Sequence, residues 1–575
     1  MLKRFIAFLA VVILLVTILP SVPVFAATTT ITVDTSIDTG AIKYGAIGWL
    51  YGLGENTQPA DSYITGLVHP QYSGQKAPWG LQHNNGDALN TAVQAVRTGM
   101  RGISIYVQDY YAQWPYPNNG VNSYITNVVD KVCASVVADH NRTFFNYVPF
   151  NEPDWIWYGT SGTLLTQFCN DWKTVFNEIR AKDPGAKIAG PGFSTYNASA
   201  YRTFFTFCKN NNCLPDITTW HELDGSFFSS YDTHYNDYRS IESSLGISPR
   251  EIYINEYGQS SGEIGRPGKM IQYLSKFERT KVFGSTCFWT GIGTLNDLIS
   301  TDGRATGCWY LYQWYGQMTG NTVQITPPSQ TGPLQGIATK SAANTAKVIF
   351  GGSANSTDVF DCNVVVKGLS GSSINYTVLE TNYTGTDYQA PPATLQSGAV
   401  TVSGGQATIT VSGCKALSAY LVNITPGSSG GGIVSGSTYK LINKNSGKNL
   451  DVYHESQTDG TQIIQWTNTG HNNQKWTITD VGNGQYKLIN VNSSKALDVY
   501  QASIVDGATV CQWTYSGSDN QKWMITDAGG GYYKIINVKS GKALDVYQAS
   551  IEDGANVCQW TYSGSNNQLW QLVQQ

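Results

Sequence analysis

The sequence predicts a multidomain chain, α/β in its first part and all-β after it: a (β/α)8 barrel, a β-sandwich and a third all-β domain with threefold repetition. Three observations predict this. Over residues 27–333 eight strand-like runs occur with helical patterns between several of them, which is how a barrel of parallel strands reads. Over 334–425 helical spacing gives way to short alternating runs between turns of Gly, Ser and Asn, the pattern of a sandwich. Over 437–575 two motifs recur three times at a spacing of 47 (451 to 498 to 545, and 474 to 521 to 568). Repeats too short to stand alone pack about a common axis. A chain of 575 residues is too long for a single core, so several domains are expected.

In chain order, Lys3 and Arg4 precede an apolar run over 5–19, and Val24-Phe25-Ala26 offers a small-residue cleavage site. Residues 1–26 therefore read as a secretory signal peptide cut after Ala26, with an uncleaved membrane anchor as the other reading. No later run is apolar enough to cross a bilayer, so an exported chain free of the membrane after cleavage is expected. The barrel strands fall at 45–51, 77–82, 102–107, 144–150, 187–191, 217–221, 251–255 and 283–289. Helices fall at 87–100, 122–138, 164–182, 235–245 and 267–280, with Asp87 at the start of the first. Sandwich strands fall at 346–350, 363–367, 376–379, 399–402, 407–411 and 419–422, and the early run 30–35 has the pattern to join them. Residues 426–436, rich in Gly and Ser, read as a flexible linker.

Composition narrows the class. Charged residues make up only 13% and aromatic residues 12%, with 35 Tyr and 16 Trp; flat rings suit the apolar faces of sugars, although aromatic-rich β proteins share this composition without binding them. A net charge of −4 with no basic block argues against a nucleic-acid partner. In an exported chain the ten cysteines are candidates for bridges, Cys208 with Cys213 and Cys362 with Cys414. None has metal-ligand spacing, and neither a metal nor a cofactor is expected.

The chemistry converges on two strand ends. The run 144–153, FFNYVPFNEP, is apolar until Asn151-Glu152-Pro153, as expected of a buried strand that delivers a carboxylate to the open end of a barrel. A half-desolvated carboxyl is fitted to donate a proton. The run 251–258, EIYINEYG, ends the same way at Glu256. Two carboxyls about 5–5.5 Å apart make a retaining glycosidase, one as acid/base and one as nucleophile; the plain alternative is a pair of buried structural carboxylates. His221 and Glu222 are neighbours at the end of another strand, where alternation lets only one face the mouth, and His221 is the expected one. His83, Gln108, Asp109 and Trp114 follow the second and third strands and are candidates to line the cleft. Trp155 and Trp157 are candidates for its wall.

Two resemblances add to this. The elements Leu-Asp-Val-Tyr at 450–453, 497–500 and 544–547, with Gln-x-Trp at 474–476, 521–523 and 568–570, resemble the ricin-type β-trefoil lectins, also grouped as carbohydrate-binding module family 13, over 437–575. The resemblance implies that the Gln-x-Trp residues are core. It implies three sugar sites: Asp451, Trp466 and Asn473; Asp498, Trp513 and Asn520; Asp545, Trp560 and Asn567. The family's cysteines within each repeat are missing, with Asn449, Ala496 and Ala543 where the first would fall; Cys511 and Cys558 sit elsewhere in repeats two and three.

The NEP at 151–153, WHEL at 220–223 and NEYG at 255–258 resemble clan A glycoside hydrolases, most like family 39. That resemblance implies Glu152 as acid/base, Glu256 as nucleophile, Asn151 on the sugar 2-hydroxyl, His221 beside the nucleophile and Trp289 as the floor of the reacting subsite. The segments 75–87 and 108–117 match nothing assignable to xylose recognition. The expected function is therefore a secreted retaining hydrolase of a plant polysaccharide or its side chains, of the xylan, arabinan or arabinogalactan class, with a polymer-binding trefoil. A lectin with an inactive barrel and a transglycosylase using the same glutamates are the alternatives.

Overall fold

The computed structural model describes residues 27–258, 265–287, 292–427, 433–482, 484–529 and 531–575. The expected signal segment 1–26, Trp289 and the centre of the expected linker lie outside the described residues. Eight parallel strands close a barrel: β1 (Trp49–Leu50), β2 (Tyr72–Lys76), β3 (Gly102–Tyr106), β4 (Phe145–Val148), β5 (Lys187–Phe193), β6 (Ile217–Glu222), β7 (Glu251–Tyr257) and β8 (Phe283–Thr286). The helices between them bury their apolar stripes on its outside. Ala88–Arg97 starts where Asp87 accepts the Leu89 N–H, and Ala198–Asn210 and Gly307–Gly316 add to those expected.

The second strand corrects the sequence expectation. It is Tyr72–Lys76, paired in register with Gly102–Tyr106, while 77–86 is a loop. The strand escapes an apolar pattern because its polar groups satisfy one another inside the barrel: Ser73 Oγ donates to Gln75 Oε1 at 2.9 Å. The Lys76 ammonium folds into the loop and donates to the Gly80 and His83 carbonyls at 3.1 and 2.7 Å.

The sandwich is one nine-stranded sheet folded on itself, in the order 394–401, 373–381, 419–426, 345–351, 335–342, 321–326, 27–41, 359–367, 406–415. Ile31, Val348, Val364, Ile374, Ile409 and Val422 meet in its core. The run 30–35 joins this sheet as expected, within the strand Ala27–Ala41, which runs parallel to Val359–Lys367 and antiparallel to Asn321–Thr326, a strand that the expected barrel region 27–333 had included. All ten cysteines are buried and free, so the expected Cys208–Cys213 and Cys362–Cys414 bridges are not formed. The turn after Cys208 is closed by its own backbone, with Cys213 N–H donating to Cys208 O at 3.0 Å.

In the C-terminal domain Trp476, Trp523 and Trp570 fill the core, and their indole N–H groups donate to the carbonyls of Leu450, Leu497 and Leu544. Each repeat is tied to a neighbour by a lysine–aspartate pair: Lys448 to Asp553, Lys495 to Asp459 and Lys542 to Asp506, all at 2.7 Å. The ties run in a ring, so no repeat carries its own.

The helix Pro267–Thr280 joins barrel to sandwich. Its Gly268 N–H donates to Leu417 O at 2.9 Å, and a Cβ on Gly268 would lie 2.2 Å from the Ala416 carbonyl oxygen, so only glycine permits this approach. At the other end buried Glu278 accepts the backbone N–H groups of Lys43 and Tyr44 and the Tyr315 hydroxyl, and pairs with Lys281. Glu278→Ala leaves these donors unanswered inside the protein; a loss of about 3 kcal/mol is expected in a denaturant titration.

Candidate active site

The strands end on one face, and β4, β6 and β7 carry the groups expected to react. In the β6–β7 ladder His221 is paired with Glu256, so strand register alone sets the imidazole beside the carboxylate. Glu152 follows β4 with φ 48° and ψ 46°, a left-handed backbone, before Pro153 opens a helical turn at Pro153–Ile156. Such a backbone costs a non-glycine residue about 1 kcal/mol or more. The Glu152 N–H is held by the Gly192 carbonyl at 2.8 Å, and Gly192 must be glycine, since a Cβ there would lie 2.5 Å from Phe150 O.

His221 Nδ1 lies 3.1 Å from Glu152 Oε1, and its Nε2 lies 3.6 Å from Glu256 Oε1. A carboxylate oxygen of each glutamate and a ring nitrogen of His221 fall within 4.8 Å of one another. Glu152 is 9% exposed and Glu256 1%, so Glu256 forms the floor and Glu152 the wall nearer solvent. Burial, with the Glu152 charge adding to it, pushes the Glu256 carboxyl above its ordinary value against the pull of His221. Burial opposes charge on His221 too, but Glu256 and then Glu152 outweigh it and hold the ring above the usual histidine range. Two glutamates and a histidine are also donors that a divalent cation accepts. Here the two ring nitrogens face different carboxylates, so the imidazole bridges them rather than converging with them.

Around this trio the structure adds groups that sequence reasoning passed over. Cys287, just beyond β8, donates its thiol to Glu256 Oε2 at 3.3 Å, and Tyr106 at the end of β3 offers the same carboxylate a hydrogen bond. Their strand-end positions were the available signal. Asp109 is fully buried between the Tyr51 and Tyr116 hydroxyls, at 2.8 and 2.7 Å. Burial pushes its carboxyl up to about 7, even against those two donors.

The expected site residues divide. The Asn151 N–H is fixed by Gln108 Oε1 at 2.7 Å, and its side-chain Oδ1 is buried with no hydrogen-bond partner. Gln108 thus supports Asn151 from behind. His83 packs against Tyr51 with ring centroids 4.3 Å apart. Trp155, 49% exposed, donates its indole N–H to Glu152 Oε2 at 3.0 Å and stands edge-on to Trp114, itself 46% exposed. Trp157 does not line the cleft: it packs edge-on against Tyr124 and Phe150 and donates to Tyr116 O, because two residues along a helical turn reverse the direction of a side chain. Glu222 turns away from the mouth and accepts from Trp220 Nε1 and His234.

In the C-terminal domain each expected aspartate is held by its asparagine: Asp451 by Asn473, Asp498 by Asn520 and Asp545 by Asn567, at 3.0, 3.1 and 3.0 Å. Trp466, Trp513 and Trp560 leave their rings 38–40% exposed. Gln474, Gln521 and Gln568 are buried, as core residues.

Known proteins resemble both parts. The family model described as "Ricin-type beta-trefoil lectin domain-like" matches residues 429–513 and 514–575. The solved structure of N2152 from Neocallimastix frontalis is 30% identical with a TM-score of 0.63; the match covers 70% of this chain and 100% of that one. A 3-O-alpha-D-galactosyl-alpha-L-arabinofuranosidase of Bifidobacterium longum subsp. longum is 32% identical over 424 residues, 62% of this chain and 37% of that protein. A 3-O-beta-L-arabinopyranosyl-alpha-L-arabinofuranosidase of Bifidobacterium pseudocatenulatum is 31% identical over 467 residues, 69% of this chain and 47% of that protein. The chain spans less than half the length of either curated relative. It belongs to the same family as N2152, and joins a closed barrel of eight parallel strands to a ricin-type β-trefoil lectin domain at its C-terminal end.

Proposed function

We propose that the chain is an exported, retaining glycoside hydrolase that acts on arabinose- or galactose-bearing side chains of a plant polysaccharide, and that its trefoil binds the polymer. The observation that carries this is the placement of Glu152 and Glu256 around His221 at the open end of the barrel, with one oxygen of each inside a 4.8 Å circle. That separation falls on the retaining side: the inverting arrangement needs about 6.5–9.5 Å to admit a water. The leader pattern of 1–26 supports export, and among the described residues no helix is long and apolar enough to cross a membrane.

Glu256 attacks the anomeric carbon while Glu152 gives its proton to the departing oxygen. The C–O bond to the leaving group breaks as the glycosyl–Glu256 ester forms. Glu152, left as a carboxylate beside the uncharged ester, takes a proton from water, whose oxygen then displaces Glu256 and restores both groups. His221 spans the carboxylates and offsets their mutual repulsion. The unpartnered Asn151 Oδ1 is placed to accept the sugar 2-hydroxyl, and the Trp155–Trp114 edge beside Glu152 gives the leaving group an apolar surface. The curated relatives are both named as α-L-arabinofuranosidases that differ in the sugar carried at O3. A 3-O-substituted α-L-arabinofuranoside is accordingly the substrate class proposed here. The trefoil keeps the barrel near such polymers by raising the effective concentration.

Incubation with arabinogalactan, arabinan, xylan and gum-type polymers, read by chromatography, should release a short arabinose-containing product from at least one. Release from none overturns the hydrolase reading. Glu256→Gln should abolish turnover. Glu152→Ala should lose about 10²–10⁴-fold on natural substrates but retain aryl glycosides with good leaving groups, and azide should restore part of the rate; equal loss on both substrate types reverses the role given to Glu152.

The pH profile gives a second check. Glu256 must be ionised to attack, so kcat/KM falls as pH drops through its raised pKa, above the ordinary glutamate value of about 4.3. Removing the positive ring with His221→Ala raises that pKa further and moves the acidic limb to higher pH.

A further inference from the structure

The three trefoil repeats share their core and their ring of lysine–aspartate ties, but not the lining of their sugar pockets. Repeats two and three carry the same side chains at equivalent positions: Gln501 and Gln548, Ala502 and Ala549, Cys511 and Cys558, Ser518 and Ser565. Repeat one has His454, Glu455, Ile464 and His471 there. Where the others have Ala496 and Ala543, it has Asn449. His454, Glu455, Ile464 and His471 all line one pocket.

Two structural consequences follow. In repeat one both oxygens of the aspartate are held by amides, Asn473 on Oδ1 at 3.0 Å and Gln474 on Oδ2 at 2.8 Å; Asn449 Nδ2 steadies Gln474 by donating to its Oε1 at 3.2 Å. In repeats two and three the asparagine and the glutamine, Gln521 or Gln568, likewise hold the aspartate, and a thiol, Cys511 or Cys558, approaches it at 3.9 or 3.8 Å where repeat one has Ile464. The rims differ as well. His471 Nδ1 and Glu455 Oε1 are hydrogen-bonded at 2.6 Å, a contact with no counterpart in the other repeats. Asp451, His454, Glu455, Trp466, His471 and Asn473 together line a pocket of about 250 Å³. The Asn473 Oδ1 that belongs to this pocket is buried and accepts no hydrogen bond, an acceptor left open for a ligand hydroxyl.

We propose that the trefoil carries two classes of sugar site: a like pair in repeats two and three, and in repeat one a separate site for a neutral glycosyl unit. In that site the Glu455–His471 pair adds polar contacts, and the carboxylates of Asp451 and Glu455 turn away uronic acids. This rests on the lectin reading of the trefoil given above. The sugar's apolar face lies on Trp466, adjacent hydroxyls reach Asp451 and Asn473, and a further hydroxyl reaches the rim pair. A uronate would set a third negative charge beside two that already interact, since the Glu455 charge adds to burial in pushing Asp451 up to about 6. In repeats two and three the matching rim position is alanine, so no carboxylate stands there.

The test uses the full chain with Glu256→Gln, so that no sugar is released, titrated by calorimetry with galactose, L-arabinose and glucuronic acid. In the Asp498→Asn/Asp545→Asn background one trefoil site should remain, beside any binding in the barrel, that takes a neutral sugar and not glucuronic acid. In the Asp451→Asn background two equal sites should remain. Glu455→Gln, at the exposed rim where folding is not at stake, should weaken the single remaining site about tenfold, the loss of one hydrogen bond to a charged group, and leave the pair unchanged. Three equal sites indifferent to Glu455→Gln, or glucuronic acid held in repeat one as well as a neutral sugar, overturn the proposal and leave the lectin reading standing. No binding of any probe by the parent chain overturns both.

Discussion

Two carboxyl groups can share a space less than 5 Å across only if a proton or a counter-charge keeps their negative charges apart, and here His221 stands between them. At 4.8 Å two unit charges repel by about 3 kcal/mol even in an effective dielectric of 20. The imidazole answers both, one nitrogen to each. Much of the barrel serves to keep it there. The β6–β7 register sets it opposite Glu256, and the left-handed turn at Glu152, made possible by the bare backbone of Gly192, swings the other carboxylate in from β4. A slip of one residue in that ladder would send His221 outward and bring Glu222 in.

The glutamates were legible in the sequence because each ends an apolar run in Asn-Glu, and a buried strand that stops on a carboxylate is hard to read otherwise. The trefoil was legible because its core positions recur without drift. What escaped was whatever depends on partners distant in the chain. Tyr72–Lys76 is a barrel strand built from Ser, Gly, Gln and Lys, whose polar groups are answered only once the fold exists, so apolar periodicity pointed to the loop beside it. Trp157 looked like Trp155 in one dimension, and the short helix after Pro153 drives them apart. Cys287 carries no signal of its own in the sequence, and only the closed barrel shows its thiol directed at Glu256.

The trefoil separates two kinds of constraint. Side chains that hold the repeats together, the buried tryptophans and the ring of lysine–aspartate ties, are the same three times over, because each must mate with a neighbour of the same design. Side chains that face outward have no such obligation. Repeat one differs from its sisters mainly there, and at Asn449 and Ile464 immediately behind.

The sandwich strand Ala27–Ala41 lies between Asn321–Thr326 and Val359–Lys367, both made far later in the chain. At a synthesis rate of about 5–20 residues per second, it waits roughly a quarter of a minute to a minute for its first neighbour. The barrel has time to assemble in that interval; the sandwich does not. Ile31 and Val33, destined for its core, stay uncovered on the nascent polypeptide throughout. A ribosome that stalls before Val359 therefore hands the cell a nearly whole barrel trailing a bare β-edge, ready to pair with the next copy.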